Sequence, residues 1–293
     1  MKRLLWAGEL ALFLLLAGAI ALMPLGMAMW TGRGIGLLLF HFCPSRRGIA
    51  VGNIREAVKR GALSSDTEPE TLARRSFENL AVSAVELVKI YFGLGRKILG
   101  GVSVKGVENV ARVSSEGRGA ILLTAHAGNW ELMALRYSVA VRKVAVVARP
   151  LNNPYLNRLA ERSRARFGNE VIYKRGALRK LLKLLKGGGS AGILMDQAVV
   201  SGEGVVVEFM GRGAWTTRMP YLLAKRTGAA VLPVFIRRTG GGHEMTIHPE
   251  LSVDGTEEEV LGRFNAAIEE HVRNNPAEWL WIHRRWKRVQ GQG

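Results

Sequence analysis

Residues 10–32 read LALFLLLAGAIALMPLGMAMWTG, without one charged side chain. As a single helix this run is about 35 Å long, enough to cross a hydrocarbon core of about 30 Å. Lys2 and Arg3 precede it, and Trp30 stands near its far end, where an interfacial aromatic is expected. A cleaved signal peptide would share the basic start, but its apolar stretch usually runs only about 7–15 residues. Residues 1–32 are therefore expected to form a membrane anchor, with Pro24 as a tolerated kink, and residues 33–293 one further domain. Arg33, Arg46, Arg47, Arg55, Lys59 and Arg60 outnumber the cations before the anchor, which puts the bulk of the chain on the cytoplasmic side. Leu37-Leu38-Leu39-Phe40 is too short to span and suits either the bilayer interface or a core.

The chain carries 42 Lys+Arg against 24 Asp+Glu, a net charge of +18 at pH 7. Such a surplus fits an anionic partner: nucleic acid, an anionic lipid surface, or a phosphorylated substrate. No zinc finger, helix-turn-helix signature or aromatic stacking strand is visible, so no nucleic-acid partner is expected. A hydrophobic content of 48% excludes a disordered chain. The single cysteine, Cys43, excludes an intramolecular disulfide framework and a cysteine zinc cluster; no metal site and no cofactor is expected.

Residues 69–92 place apolar side chains at helical spacing, with Asp66 or Thr67 as candidate caps. From residue 100 onward, apolar runs at 120–124, 144–148, 171–173, 191–195, 205–209 and 231–236 alternate with helix-like stretches. The latter lie at 131–139, 154–167, 177–186 and 218–227, and a last helix at 257–274 precedes a Trp- and Arg-rich tail. This alternation predicts an α/β fold: a mixed, mostly parallel sheet flanked by helices.

The segment 120–132, AILLTAHAGNWEL, carries the chemistry. An apolar strand leads into His126, a turn passes through Gly128, and a helix opens near Trp130 with Glu131 in it. On one continuous helix, residues five apart would diverge by about 140°. His126 and Glu131 can meet only if the histidine precedes the helix, which this strand–turn–helix order provides. A carboxylate bonded to one ring nitrogen fixes the tautomer and makes the other nitrogen a better base. Glu131 is thus expected to orient His126 as the general base toward a hydroxyl. Backbone N–H groups at 128–130 are candidates for stabilising an oxyanion.

The block His126-Ala127-Gly128-Asn129-Trp130-Glu131 resembles the His-x4-Asp/Glu motif of the glycerolipid acyltransferases, in the form ending in Glu found in late lipid A acyltransferases. The resemblance runs on through Arg149-Pro150-Leu151-Asn152-Asn153-Pro154, Met195-Asp196-Gln197, and Phe209-Met210-Gly211-Arg212-Gly213-Ala214-Trp215-Thr216. It closes on Asn275-Pro276-Ala277-Glu278-Trp279-Leu280-Trp281-Ile282-His283-Arg284-Arg285-Trp286-Lys287, so that it covers nearly the whole chain. It implies transfer of a fatty acyl chain, usually from acyl carrier protein, to a hydroxyl of a phosphorylated glycolipid at the cytoplasmic face of the inner membrane. The Glu-Gly-Thr-Arg block of the phospholipid-directed branch is missing, which argues against a lysophosphatidate acceptor. Another glycolipid, such as a phosphatidylinositol mannoside, or an aminolipid remains an alternative acceptor.

Further candidates follow from position and residue type. Arg149 ends an expected strand, where open α/β sheets bind ligands; it suits a phosphate, the thioester oxygen, or plain solvation. Asp196 follows another strand and suits a sugar hydroxyl or an arginine, with Gln197 beside it. Arg175 and Arg212 are candidate phosphate contacts through bidentate guanidinium bonding. The basic, leucine-laced stretch 174–186 suits anionic lipid, acidic carrier protein or a plain amphipathic surface. Trp279, Trp281 and Trp286, with Arg284, Arg285, Lys287 and Arg288, fit a membrane-interface belt, and His283 is taken as structural.

Overall fold

A computed structural model describes residues 2–173, 176–287 and 289. The long apolar run is not one helix. It is divided at Pro24 into α1 (Lys2–Leu22) and α2 (Leu25–Phe42), because proline has no N–H to continue the ladder. Among the described residues, α1 alone is long and apolar enough to cross a membrane, and it buries only Ala17 and Ala21. Residue 32, the expected anchor boundary, falls inside α2. This second helix lies against α4 (Pro69–Tyr91) through Ala28, Gly32, Gly36 and Phe40, one residue per turn; α3 (Pro44–Lys59) stands between the two in sequence. A side chain at Gly36 would meet the Glu78 Cα at 2.5 Å, so the two backbones approach only because there is none. Leu37, Leu38 and Leu39 face outward and Phe40 inward. Glu68, not Asp66 or Thr67, caps α4 by accepting the Glu70 and Thr71 N–H groups.

The α/β part comprises α5 (Arg96–Gly100), β1 (Val102–Lys105), α6 (Val107–Ser115), β2 (Ala120–Thr124), α7 (Trp130–Ala140), β3 (Val144–Ala148), α8 (Pro154–Arg166) and β4 (Glu170–Tyr173). It continues with α9 (Ala177–Lys186), β5 (Ser190–Leu194), β6 (Gly204–Phe209), β7 (Arg212–Thr217), α10 (Met219–Thr227), β8 (Ala230–Thr239), β9 (Gly242–Ile247) and α11 (Glu257–Asn274). The main sheet runs β1-β9-β8-β2-β5-β3-β4, and only β8–β9 is antiparallel. This is the mixed, mostly parallel sheet expected. Every residue of β2 is buried, as a central parallel strand covered on both faces requires. One core gathers Ile121 and Leu123 with α9, α10 and α11; the other gathers Ala120 and Leu122 with α7.

The apolar run at 205–209 does not join that sheet. It pairs with β7 as a separate hairpin, turning at Met210-Gly211 with positive φ at both residues, 53° and 72°. That backbone suits the right-handed twist of a hairpin but strains Met210, whose N–H is held by Glu269 at 2.9 Å. The tail also corrects the sequence expectation. Trp279, Trp281, Trp286 and Arg285 are all buried, at 2%, 0%, 6% and 0% exposure, rather than arrayed at a membrane surface. Their polar atoms turn inward: the three indole N–H groups donate to Asp196, Pro276 O and Phe209 O.

Candidate active site

The site forms where β2 ends. Beyond Thr124 the chain passes Ala125, His126 and Ala127 to Gly128, whose φ of +59° is left-handed. A Cβ at Gly128 would stand 2.2 Å from Ile236 O, so only glycine fits. Asn129 then caps α7, accepting the Leu132 N–H at 3.1 Å and donating to Glu86 on α4 at 2.9 Å. Burial would raise the Glu86 pKa, but His243 and Arg238 beside it bring it down to about 2.

His126 does not bond Glu131. Its Nδ1 lies 2.8 Å from Asp196 Oδ1, and its backbone N–H donates to Asp196 Oδ2 at 3.0 Å. Strand register explains the partner: β2 and β5 are parallel neighbours with Thr124 opposite Leu194, so the residues two further on emerge side by side. A carboxylate only accepts hydrogen bonds, so Nδ1 carries the ring proton and Nε2 carries the lone pair. Gln197 Nε2 approaches that lone pair at 3.3 Å, and Trp130 packs edge-on to the ring at 5.2 Å. Burial alone would lower the His126 pKa; the charge and hydrogen bond of Asp196, with a smaller effect of Glu131, raise it above its ordinary value. Asp196 is 2% exposed, and burial alone would raise its pKa. His126 and the Trp279 N–H, 2.9 Å from Oδ2, instead hold the carboxyl at about 2.

Glu131, on the first turn of α7, faces α8 and gives its two oxygens to Arg164, at 2.7 and 3.0 Å. The expected orienting acid is thus close enough for its charge to reach the imidazole, yet it is spent on an arginine. Asp196 and Gln197, expected as substrate contacts, both lie against the His126 ring instead. Arg149, at the end of β3, is exposed and makes no hydrogen bond or ion pair with a described residue. Arg212 stacks over the Trp286 ring at 5.0 Å, with its Nε buried and unpartnered. Arg175 lies outside the described residues. The helix α9 buries Ala177, Leu181 and Leu185 and exposes Arg179, Lys180, Lys183 and Lys186.

Sequence reasoning missed three contributors. Trp279 was placed at a membrane and Arg164 was not singled out. Arg285, also assigned to the belt, is a buried cation bonded to Gln197 O, Trp215 O and Thr216 Oγ1. Burial pushes its pKa down to about 10. His283 feels the charges of Asp196 and His126, and burial pushes it down to about 4, so it is neutral near pH 7. Trp130, which packs on the imidazole, also lines with Thr124, Met133, Tyr137, Val146 and Leu194 an apolar cavity of about 40 Å³ between α7 and the sheet. The arrangement is an oriented base, which suits proton abstraction from a hydroxyl.

The sequence profile of the bacterial lipid A biosynthesis acyltransferases matches residues 3–288. The chain is 27% identical over 269 residues to a lipid A biosynthesis palmitoleoyltransferase of Escherichia coli K12, covering 90% of this chain and 86% of that protein. It is also 27% identical over 261 residues to a lipid A biosynthesis lauroyltransferase of the same organism, covering 87% and 84%. A phosphatidylinositol mannoside acyltransferase of Mycolicibacterium smegmatis is 28% identical over 193 residues, covering 63% and 62%.

Proposed function

The chain belongs to the bacterial lipid A biosynthesis acyltransferase family, and on that footing we propose that it moves a fatty acyl chain from acyl carrier protein to a hydroxyl of a lipid A precursor. The single observation that carries the mechanism is the Asp196–His126 pair, which leaves Nε2 as the free base. The acceptor hydroxyl displaces the Gln197 amide from Nε2 and gives up its proton as its oxygen attacks the thioester carbonyl. The tetrahedral intermediate then expels the thiolate, which takes the proton back from the imidazolium. Asp196 stabilises that imidazolium, and Glu131, fixed by Arg164, adds its charge beside it. General-base help of this kind supplies about 10²–10⁴ in rate, and holding two lipidic substrates together supplies much of the rest.

In this reading α1 holds the enzyme in the inner membrane with the α/β part on the cytoplasmic side. Exposed Trp30, Leu38 and Phe42 on α2 add apolar surface next to it. The net charge of +18 suits headgroups, a phosphorylated glycolipid and an acidic carrier. Arg149, exposed at the sheet edge, and Arg175 and Arg212 are proposed phosphate contacts. A phosphatidylinositol mannoside acceptor is the second reading, but the similarity to such a protein covers 63% of the chain against 90% for the lipid A relative. The test is transfer by purified protein, followed by mass spectrometry, from a ladder of carrier-protein and coenzyme A thioesters to each acceptor. The proposal expects an acylated lipid A precursor made from the carrier-protein thioester; product only on the mannoside, or only from coenzyme A, would contradict it.

A further inference from the structure

We propose that Trp279 is a positioning residue of the transfer reaction: its indole N–H fixes the Asp196 carboxylate so that Oδ1 is presented to His126 Nδ1. This rests on the reading of His126 as the base. Three indoles are buried in the C-terminal segment, and a buried N–H needs an acceptor. Trp281 and Trp286 take backbone carbonyls, those of Pro276 and Phe209. Trp279 alone among them takes the carboxylate that orients the base, at 2.9 Å.

The delivery is built in. The backbone of this segment runs antiparallel to the His126 loop, with Ala127 bridged to Trp279. Leu280 N donates to His126 O at 3.0 Å and Gly128 N to Glu278 O at 2.9 Å. The indole therefore hangs from a strand tied to the backbone of the histidine itself. Phe209 at 5.4 Å, Trp281 at 4.6 Å and Trp286 at 6.1 Å enclose its ring and prevent it from turning. On the carboxylate the work divides: Oδ2 accepts the Trp279 and His126 backbone N–H groups, while Oδ1 is left to the imidazole. Without the indole N–H, Oδ2 keeps only the His126 backbone N–H.

The other titratable and charged groups around the pair are Glu131 from α7, and the neutral His283 and charged Arg285 from the C-terminal segment. None of them changes when the indole loses its N–H. A carboxylate that loses a donor becomes more basic and holds a proton on its partner imidazole more tightly.

Trp279→Phe is expected to lower kcat roughly 10- to 100-fold with little change in KM. It should also move the acidic limb of the kcat/KM profile to higher pH. Trp281→Phe is the matched control: an equally buried indole in the same segment, bonded to a carbonyl, whose loss should lower thermal stability and leave that limb in place. Benzothienylalanine at position 279, which replaces the N–H by sulfur at nearly constant shape, gives the same readout should the phenylalanine variant fail to fold. The proposal is overturned if the position-279 variants match Trp281→Phe in rate and pH limb while His126→Ala is inactive. Should His126→Ala transfer acyl chains normally, the underlying base assignment fails instead, and the inference with it.

Discussion

Arg164 on α8 grips both carboxylate oxygens of Glu131, Nη2 to Oε1 at 2.7 Å and Nε to Oε2 at 3.0 Å. The acid of the His-x4-Glu block is therefore half of an ion pair that ties α7 to α8 beside the imidazole. Two groups that act as one lose their effect together. Glu131→Ala and Arg164→Ala should lower transfer to a similar extent, and the double variant should be no slower than the worse single one. Initial rates for the four proteins check this; strictly multiplicative losses would show that the pair does not act as a unit. Urea unfolding of the same set should give a coupling of about 1–2 kcal/mol, the scale of a charged hydrogen bond away from bulk water.

Activity should rise with pH through the His126 value, because only the neutral ring has a lone pair. Since Asp196 raises that value above the ordinary 6.5, the acidic limb of kcat/KM belongs above pH 6.5. Asp196→Asn removes the charge and leaves burial in control, so the limb should fall below that of the wild type while the rate drops by about 10²-fold or more. Stability runs the other way. The His126 contribution is complete below about 6.5 and fades as pH rises through the higher folded value. That of Asp196 is complete above 3.8 and fades as pH falls toward about 2. Unfolding free energies measured across pH, wild type against Asp196→Asn, separate the two.

Gly128→Ala should cost at least about 2 kcal/mol, from left-handed strain and a methyl group driven against Ile236 O. The turn that aims His126 would shift with it. Thermal melting and transfer rate should fall together, and a variant as stable and active as wild type would refute the turn's role.

Gln197 Nε2 lies 3.3 Å from His126 Nε2, the spot that the proposed mechanism assigns to the acceptor hydroxyl. Gln197→Ala removes that competitor and should lower the acceptor KM or leave it unchanged, with kcat reduced less than in Asp196→Asn. Steady-state kinetics in the acceptor decides; a large rise in KM would make Gln197 a contact to the acceptor.

The strands that carry the site were legible because parallel central strands are apolar runs: 120–124 and 191–195 correspond to β2 and β5 within a residue. What spacing could not show was that these two lie side by side. Glu131 looked like the partner of His126 because it is near in sequence, whereas Asp196 reaches the ring through register across a sheet. The tail misled for a related reason. Trp and Arg together suit a membrane interface as well as a core, and only the acceptors waiting inside decide between them. The strands β1 and β9 escaped notice because polar side chains interrupt them, and β7 because Arg212, Gly213 and two threonines leave little apolar pattern. Pro24 was seen as a kink and proved to be a break, with the second half of the apolar run drawn onto α4 by Gly32 and Gly36.

The central claim is that the imidazole of His126 removes the proton from the attacking hydroxyl. It is tested most directly by single-turnover transfer from acyl carrier protein to a lipid A precursor with wild type and His126→Ala, folding being matched by thermal melting. The account predicts that the variant binds both substrates and loses at least about 10²-fold in the transfer step. Transfer by the variant at the wild-type rate would contradict it.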